Sequence, residues 1–163
     1  MKSPLFRYRL SLGIFIIGLI LSGLTTFPLR LELSLLTKIT GASSSADPDQ
    51  LSGLSHWIGF VDAGVRQTYS HFPFFGYATD WLGFGHLVIA AFFILPFIWP
   101  RQYRGVLLVG LAACVGVLLT AFVSGPIREI PVYWRLIDCC FGIAGAIPLL
   151  YCLRLSRQLE SRS

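Results

Sequence analysis

The residues best suited to chemistry stand where the sequence is otherwise least polar. His86 and Asp138 each lie inside a long uncharged run, and an ionisable side chain in such a run is costly and tends to face a bundle interior. Thr120 and Ser124 are four residues apart, a spacing that puts both hydroxyls on one face of a helix. Arg128, Glu129 and Arg135 flank Asp138, and Asp80 precedes His86. At a rise of ~1.5 Å per residue, His86 lies roughly 7 Å inside Trp81, and Asp138 lies one turn inside Trp134. In a bundle whose helices alternate in direction, both reach the same end. The expectation is one small polar cavity holding His86, Ser124 and Asp138, with Asp80, Arg128, Glu129 and Arg135 at its rim.

Such a set can do three things. Two guanidinium groups and a hydroxyl can hold the phosphate of a lipid headgroup. An imidazole next to a carboxylate can relay a proton, or act as a general base that the carboxylate orients. No G-x-S-x-G or comparable nucleophile motif accompanies the histidine, so no catalytic residue is assigned. His86 and Asp138 stay as candidates, and all seven residues form the proposed headgroup set. The same residues also have a purely structural use: Arg135 and Asp138 as an ion pair at a helix start, and His86 hydrogen-bonded to a nearby carbonyl.

Other chemistries find less support. His56 and His71 lie outside the apolar runs, and His86 has no second histidine within a run to complete a bis-histidine haem site. No cofactor or metal is expected. Cys114, Cys139, Cys140 and Cys152 fall in apolar runs without a C-x-x-C spacing, which reads as buried thiols, with the vicinal pair Cys139 and Cys140 as a redox alternative. Neither a phosphate-cradling glycine loop nor a basic aromatic stripe for nucleic acid occurs.

The elements that must position these residues follow from composition. Of 163 residues, 55% are apolar and only 13% charged, and mean hydropathy is +0.70. An ordinary soluble domain carries about 25% charged residues. A soluble globule, a disordered chain and a disulfide-rich secreted module are therefore excluded. Four uncharged or nearly uncharged runs, 10–29, 81–100, 105–127 and 136–153, each meet the ~20 residues needed to cross a bilayer as a helix. The last three are joined by short turns, so they form an antiparallel series. Paired small residues, Gly142 with Ala146, Ala112 with Gly116 and Ala121 with Gly125, mark close-packing positions, and Pro96 and Pro148 mark kinks.

Charge gives the orientation. Lys2, Arg7, Arg9, Arg101, Arg104, Arg154, Arg157 and Arg162 fall on one side of the four runs. Arg30, Lys38, Arg66, Arg128 and Arg135 fall on the other, diluted by acids. The basic side reads as cytoplasmic, with both termini there. The net charge of +5 is thus a topology signal at an anionic leaflet. The N-terminal run reads as an uncleaved anchor, since no A-x-A-like site follows it.

Between the first two runs lies an outer amphipathic segment, 30–80. Its stretch GASSSADPDQ, 41–50, reads as a linker. Before it, residues 29–35 alternate as a strand would, yet Leu31, Leu35 and Ile39 also fit a helix face, and the piece is read as an interfacial helix. After it, Leu51, Leu54, Ile58, Val61 and Val65 recur at helical spacing, with Asp62 and Arg66 expected as an i, i+4 pair on the wet side. An aromatic series from Trp57 to Trp81 suits headgroup depth.

Three stretches, DWLGFGH (80–86), SGPIREIP (124–131) and YWRLIDCC (133–140), resemble an uncharacterised family of small bacterial four-helix membrane proteins, along the chain from the first run to the end. They also carry a distant likeness to VanZ-like proteins, some of which are linked to glycopeptide-antibiotic resistance. In that pattern an Asp and a nearby His open one helix, and an Arg and an Asp precede a glycine-rich later one. Here Asp80 and His86 stand wider apart than the pattern, and Gly142 takes the place of an Asn. The resemblance implies a multi-helix bacterial membrane protein and supplies no catalytic residue.

The reading is an all-α polytopic integral membrane protein with four transmembrane helices and an amphipathic interfacial segment between the first two. Its expected place is the bacterial inner membrane. Its expected role is accessory and non-enzymatic, binding an anionic lipid or envelope-precursor headgroup on the outer face. The alternatives are a membrane-embedded enzyme on a lipid-linked substrate and a structural subunit of an envelope or transport complex. Membrane lipids are the expected partners, with a membrane-protein partner or a second copy of the chain as further possibilities.

Overall fold

The computed structural model describes residues 3–42 and 53–160, so most of the expected linker, Leu51, Lys2 and Arg162 lie outside the described residues. Within them the chain forms six helices and no strands. They are α1 (Pro4–Thr26), α2 (Leu29–Ile39), α3 (Gly53–His71), α4 (Phe75–Ile98), α5 (Arg104–Ile127) and α6 (Val132–Glu160). Four of them, α1, α4, α5 and α6, are long and apolar enough to cross a membrane, at 23, 24, 24 and 28 residues. The helices start earlier than the uncharged runs, because a helix does not break where a charge appears. Arg7 and Arg9 lie on α1, Asp80 on α4 and Arg135 on α6. The end of α1 is sharper than its run, since Pro28 lacks the N–H that would continue the helix, and a turn at Phe27 and Pro28 separates α1 from α2.

The chain divides into two compact units, one of residues up to Leu19 and from Ile89 onward, the other Ile20–Val88. In the first, Tyr8, Leu12, Phe93, Leu107, Leu149, Cys152, Leu153 and Leu155 form the core. Phe93 meets the edge of Phe15 at 4.8 Å between ring centroids, and Gly110 leaves the room that Phe93 and Leu149 fill. Closest packing is between α5 and α6. A methyl on Gly142 would stand 2.8 Å from the Cys114 carbonyl oxygen, so the absent side chain is what lets the backbones approach. Ala121 and Gly125 are also buried, whereas Ala112 is exposed. Of the expected small pairs, Ala112 with Gly116 is therefore not a tight seam. Gly110, which the spacing did not single out, takes that role.

Two prolines shape one end of this unit. Pro96 lies inside α4, and its carbonyl would normally accept from the amide four residues on. That residue is Pro100, which has no N–H to give. The fully buried Tyr8 supplies the missing donor, its hydroxyl donating to the Pro96 carbonyl oxygen at 3.0 Å. Nearby, the Arg7 and Arg9 guanidinium groups lie over the rings of Tyr151 and Phe97. Arg101 donates to the Leu159 carbonyl oxygen at 2.6 Å, close to the end of α6, where a cation complements the helix dipole. The start of α1 and the ends of α4 and α6 thus share one strongly basic end.

In the second unit the later part of α1 meets the earlier part of α4 at two buried glycines. A methyl on Gly23 would stand 2.9 Å from the Gly83 carbonyl oxygen, and one on Gly83 would stand 2.8 Å from that of Gly23. Residues 29–39 are helical, which settles the strand alternative, and α2 packs on α3. Leu33 and Thr37 are buried on α2, and Ile58, Gly59 and Asp62 on α3. The Ser55 hydroxyl donates to the Thr40 carbonyl oxygen at 2.9 Å. Asp62 and Arg66 form the expected pair at 2.7 Å, but Asp62 is not on the wet side, being only 8% exposed. Its stripe, with the small Gly59, provides the buried face of α3, while Leu54 and Phe60 stay exposed.

Candidate site at the junction of α5 and α6

The junction is built where α5 ends, at the residue where its apolar run also stops, by a turn that the sequence does not announce. Pro126 lies in the last turn of α5, and Arg128 caps the helix, its N–H reaching the Ser124 and Gly125 carbonyl oxygens at 3.0 and 3.2 Å. The Glu129 amide then donates to Pro126 O at 3.1 Å and the Ile130 amide to Gly125 O at 2.9 Å. These are the paired bonds of a Schellman end, which needs a left-handed residue just past the cap. Glycine usually occupies that position; here Glu129 does, with a φ of 57°. The chain turns back at once, the Arg135 amide donates to Pro131 O, and α6 begins.

This turn decides where Arg135 goes. Its aliphatic stem lies on Gly125, where any side chain would collide with Arg135 Cγ and Cδ. Packed there, Arg135 has its Nε sealed from solvent, and that nitrogen has no hydrogen-bond acceptor among the described residues. A buried unsatisfied donor on a charged group is expensive. Asp138, half-buried one turn further along α6, forms no ion pair with Arg135, and no carboxylate pairs with Arg128 among the described residues. Ser124, Arg128 and Glu129 are exposed around the same turn. The structure thus lays Arg135 on the turn whose residues include Ser124, Arg128 and the left-handed Glu129.

The candidates are divided between the two units: Ser124, Arg128, Glu129, Arg135 and Asp138 in the first, Asp80 and His86 in the second. On α4, His86 lies beside the glycine crossing, its Cβ 3.0 Å from where a Gly23 methyl would stand. Its Nδ1 is 2.9 Å from the Leu82 carbonyl oxygen. A carbonyl only accepts, so Nδ1 carries the proton in this contact and Nε2 is the nitrogen left over. Asp80 is half-buried and has no charged partner among the described residues. The histidine is thus engaged within its own helix, as the structural use of this residue foresaw.

Sequence reasoning missed the seat that Gly125 provides for Arg135; the pair Ala121 and Gly125 marked only helix packing. It also missed the backbone of Glu129, for which no residue-type signal exists. The four cysteines are free thiols, and the exposed Cys140 donates to the Leu136 carbonyl oxygen. Among the described residues no group of three or more His, Cys, Asp or Glu could hold a metal ion. The fold and site define a multi-pass α-helical membrane protein with a cationic helix junction. Beyond that class, no family model, curated protein or solved structure matches the chain.

Proposed function

We propose that the α5–α6 junction holds the anionic headgroup of a membrane lipid or of a lipid-linked envelope precursor. In this reading the protein is a non-enzymatic accessory of the bacterial cytoplasmic membrane. Both termini lie in the cytoplasm and the junction is at the outer leaflet, because the shared basic end of α1, α4 and α6 belongs on the positive-inside face. The single observation that carries the reading is the state of Arg135, whose buried Nε lacks an acceptor among the described residues, beside a turn on which Arg128 stands exposed. An anionic headgroup seated on this turn would give the half-buried Arg135 guanidinium the acceptor it lacks, and a second guanidinium would strengthen the grip by charge-assisted hydrogen bonds. Ser124 adds a neutral donor.

The test is native mass spectrometry of the purified chain after exchange into a delipidating detergent, with Arg128→Gln/Arg135→Gln alongside. The reading requires an anionic lipid on the wild type that is lost from the double variant. Equal lipid content in two equally well-folded proteins would overturn it.

A further inference from the structure

Helix α2 presents three faces with different chemistry. Leu33 and Thr37 are buried on the side packed against α3. Leu31, Leu35 and Ile39, one turn apart, form a second stripe that is 60%, 49% and 79% exposed. Arg30, Ser34 and Lys38 precede them by one residue at each turn and form a third, with both cations exposed. One residue is about 100° of helix rotation, so the apolar and basic stripes lie side by side along the whole helix. Neither covers the other, and a line of large aliphatic side chains left open is a surface that requires an occupant.

The connections restrict what that occupant can be. Helix α2 starts three residues after Thr26, the end of a helix long and apolar enough to span a membrane. Helix α3 ends four residues before Phe75, the start of another. The α2–α3 pair is therefore tied at both ends to the same bilayer surface. The ion pair of Asp62 with Arg66 has the acid withdrawn into the buried face of α3. A helix lying in the plane of a membrane meets acyl chains on one side and phosphates about a quarter-turn away. That is the angular relation between the two open stripes, and long basic side chains reach phosphates while their stems stay in the apolar layer. A second protein could cover the leucines, but it would not account for the cationic stripe running beside them.

We propose that α2 is a lipid-contacting helix lying along the boundary between acyl chains and phosphates. Leu31, Leu35 and Ile39 enter the acyl layer, and Arg30 and Lys38 bind the phosphates of the leaflet in which α1 ends. The occupant of the open face is phospholipid, and α3 is carried on α2 as its protein-facing partner. This carries the expected interfacial segment further, giving α2 an acyl face of Leu31, Leu35 and Ile39 and a phosphate-binding edge of Arg30 and Lys38.

Nitroxide labels read this directly. Leu31→Cys, Ser34→Cys, Leu35→Cys, Lys38→Cys and Ile39→Cys are made in the full chain with its native cysteines replaced, and reconstituted in vesicles of phosphatidylcholine and phosphatidylglycerol. The proposal requires labels at 31, 35 and 39 to be relaxed more by oxygen than by a water-soluble nickel chelate, with the order reversed at 34 and 38. Access of nickel to all five overturns it. Shielding of 31, 35 and 39 from both reagents overturns it too, and identifies a protein occupant. If the cysteine-free background does not fold, the unmodified chain in the same vesicles is photolabelled with an apolar diazirine. Adducts on Leu31, Leu35 and Ile39 are expected, and adducts confined to α1, α4, α5 and α6 would contradict the proposal.

Discussion

Glu129 adopts a left-handed backbone, φ 57°, which destabilises an L-residue by about 1 kcal/mol or more relative to glycine. The position is set by the Schellman bonds to Pro126 and Gly125, so Glu129→Gly should leave the turn intact and raise stability by about 1 kcal/mol. A detergent unfolding titration checks this, and a variant less stable than wild type would show that the carboxylate holds the turn. Tyr8 makes the opposite case. Its hydroxyl is the donor for a carbonyl whose amide partner is replaced by Pro100, so Tyr8→Phe should cost about 1–3 kcal/mol by stranding a buried acceptor. The same titration reads it, and a neutral result would mean the carbonyl finds another donor. Arg128, Arg135 and Asp138 were legible because charge beside an apolar run stands out. Glu129 was not, since left-handed residues are read from glycines. Two prolines four apart do predict a carbonyl in need of a donor, but not that Tyr8 provides it.

At the scale of elements, the four long helices could be read because length and apolarity alone define them, and the run 105–127 nearly coincides with α5, while the ends of α1, α4 and α6 differ by more. Charge marks where a run stops, and Pro28, a true breaker, marks where α1 stops. On α3 the periodicity gave the right secondary structure but misplaced one residue: Asp62, expected on the wet side, is buried beside Ile58 and Gly59, while Leu54 of the apolar stripe is exposed. The small residues of α5 and α6 divide in a way that can be tested. Gly142→Leu would drive a side chain into the Cys114 backbone and Val117 and should destabilise the pair by several kcal/mol, at the upper end of ordinary overpacking. Gly116→Leu, at a position with nothing within 4 Å, should be close to neutral. Thermal unfolding followed by size exclusion distinguishes them, and equal tolerance of both would contradict the packing described.

For the whole molecule, the basic end where α1 starts and α4 and α6 finish is the part of the account most visible in sequence, because the charge count needs no three-dimensional information. The proposed function rests at the α5–α6 junction, where among the described residues neither Arg128 nor Arg135 pairs with a carboxylate. Its most direct test is competition between phosphatidylglycerol and phosphatidylcholine of identical chains for the purified protein, followed by native mass spectrometry. The account predicts that wild type prefers the anionic lipid by about tenfold or more, equivalent to about 1.4 kcal/mol, and that Arg128→Gln/Arg135→Gln abolishes the preference. A wild type indifferent to headgroup charge, or a double variant as selective as wild type, would contradict it.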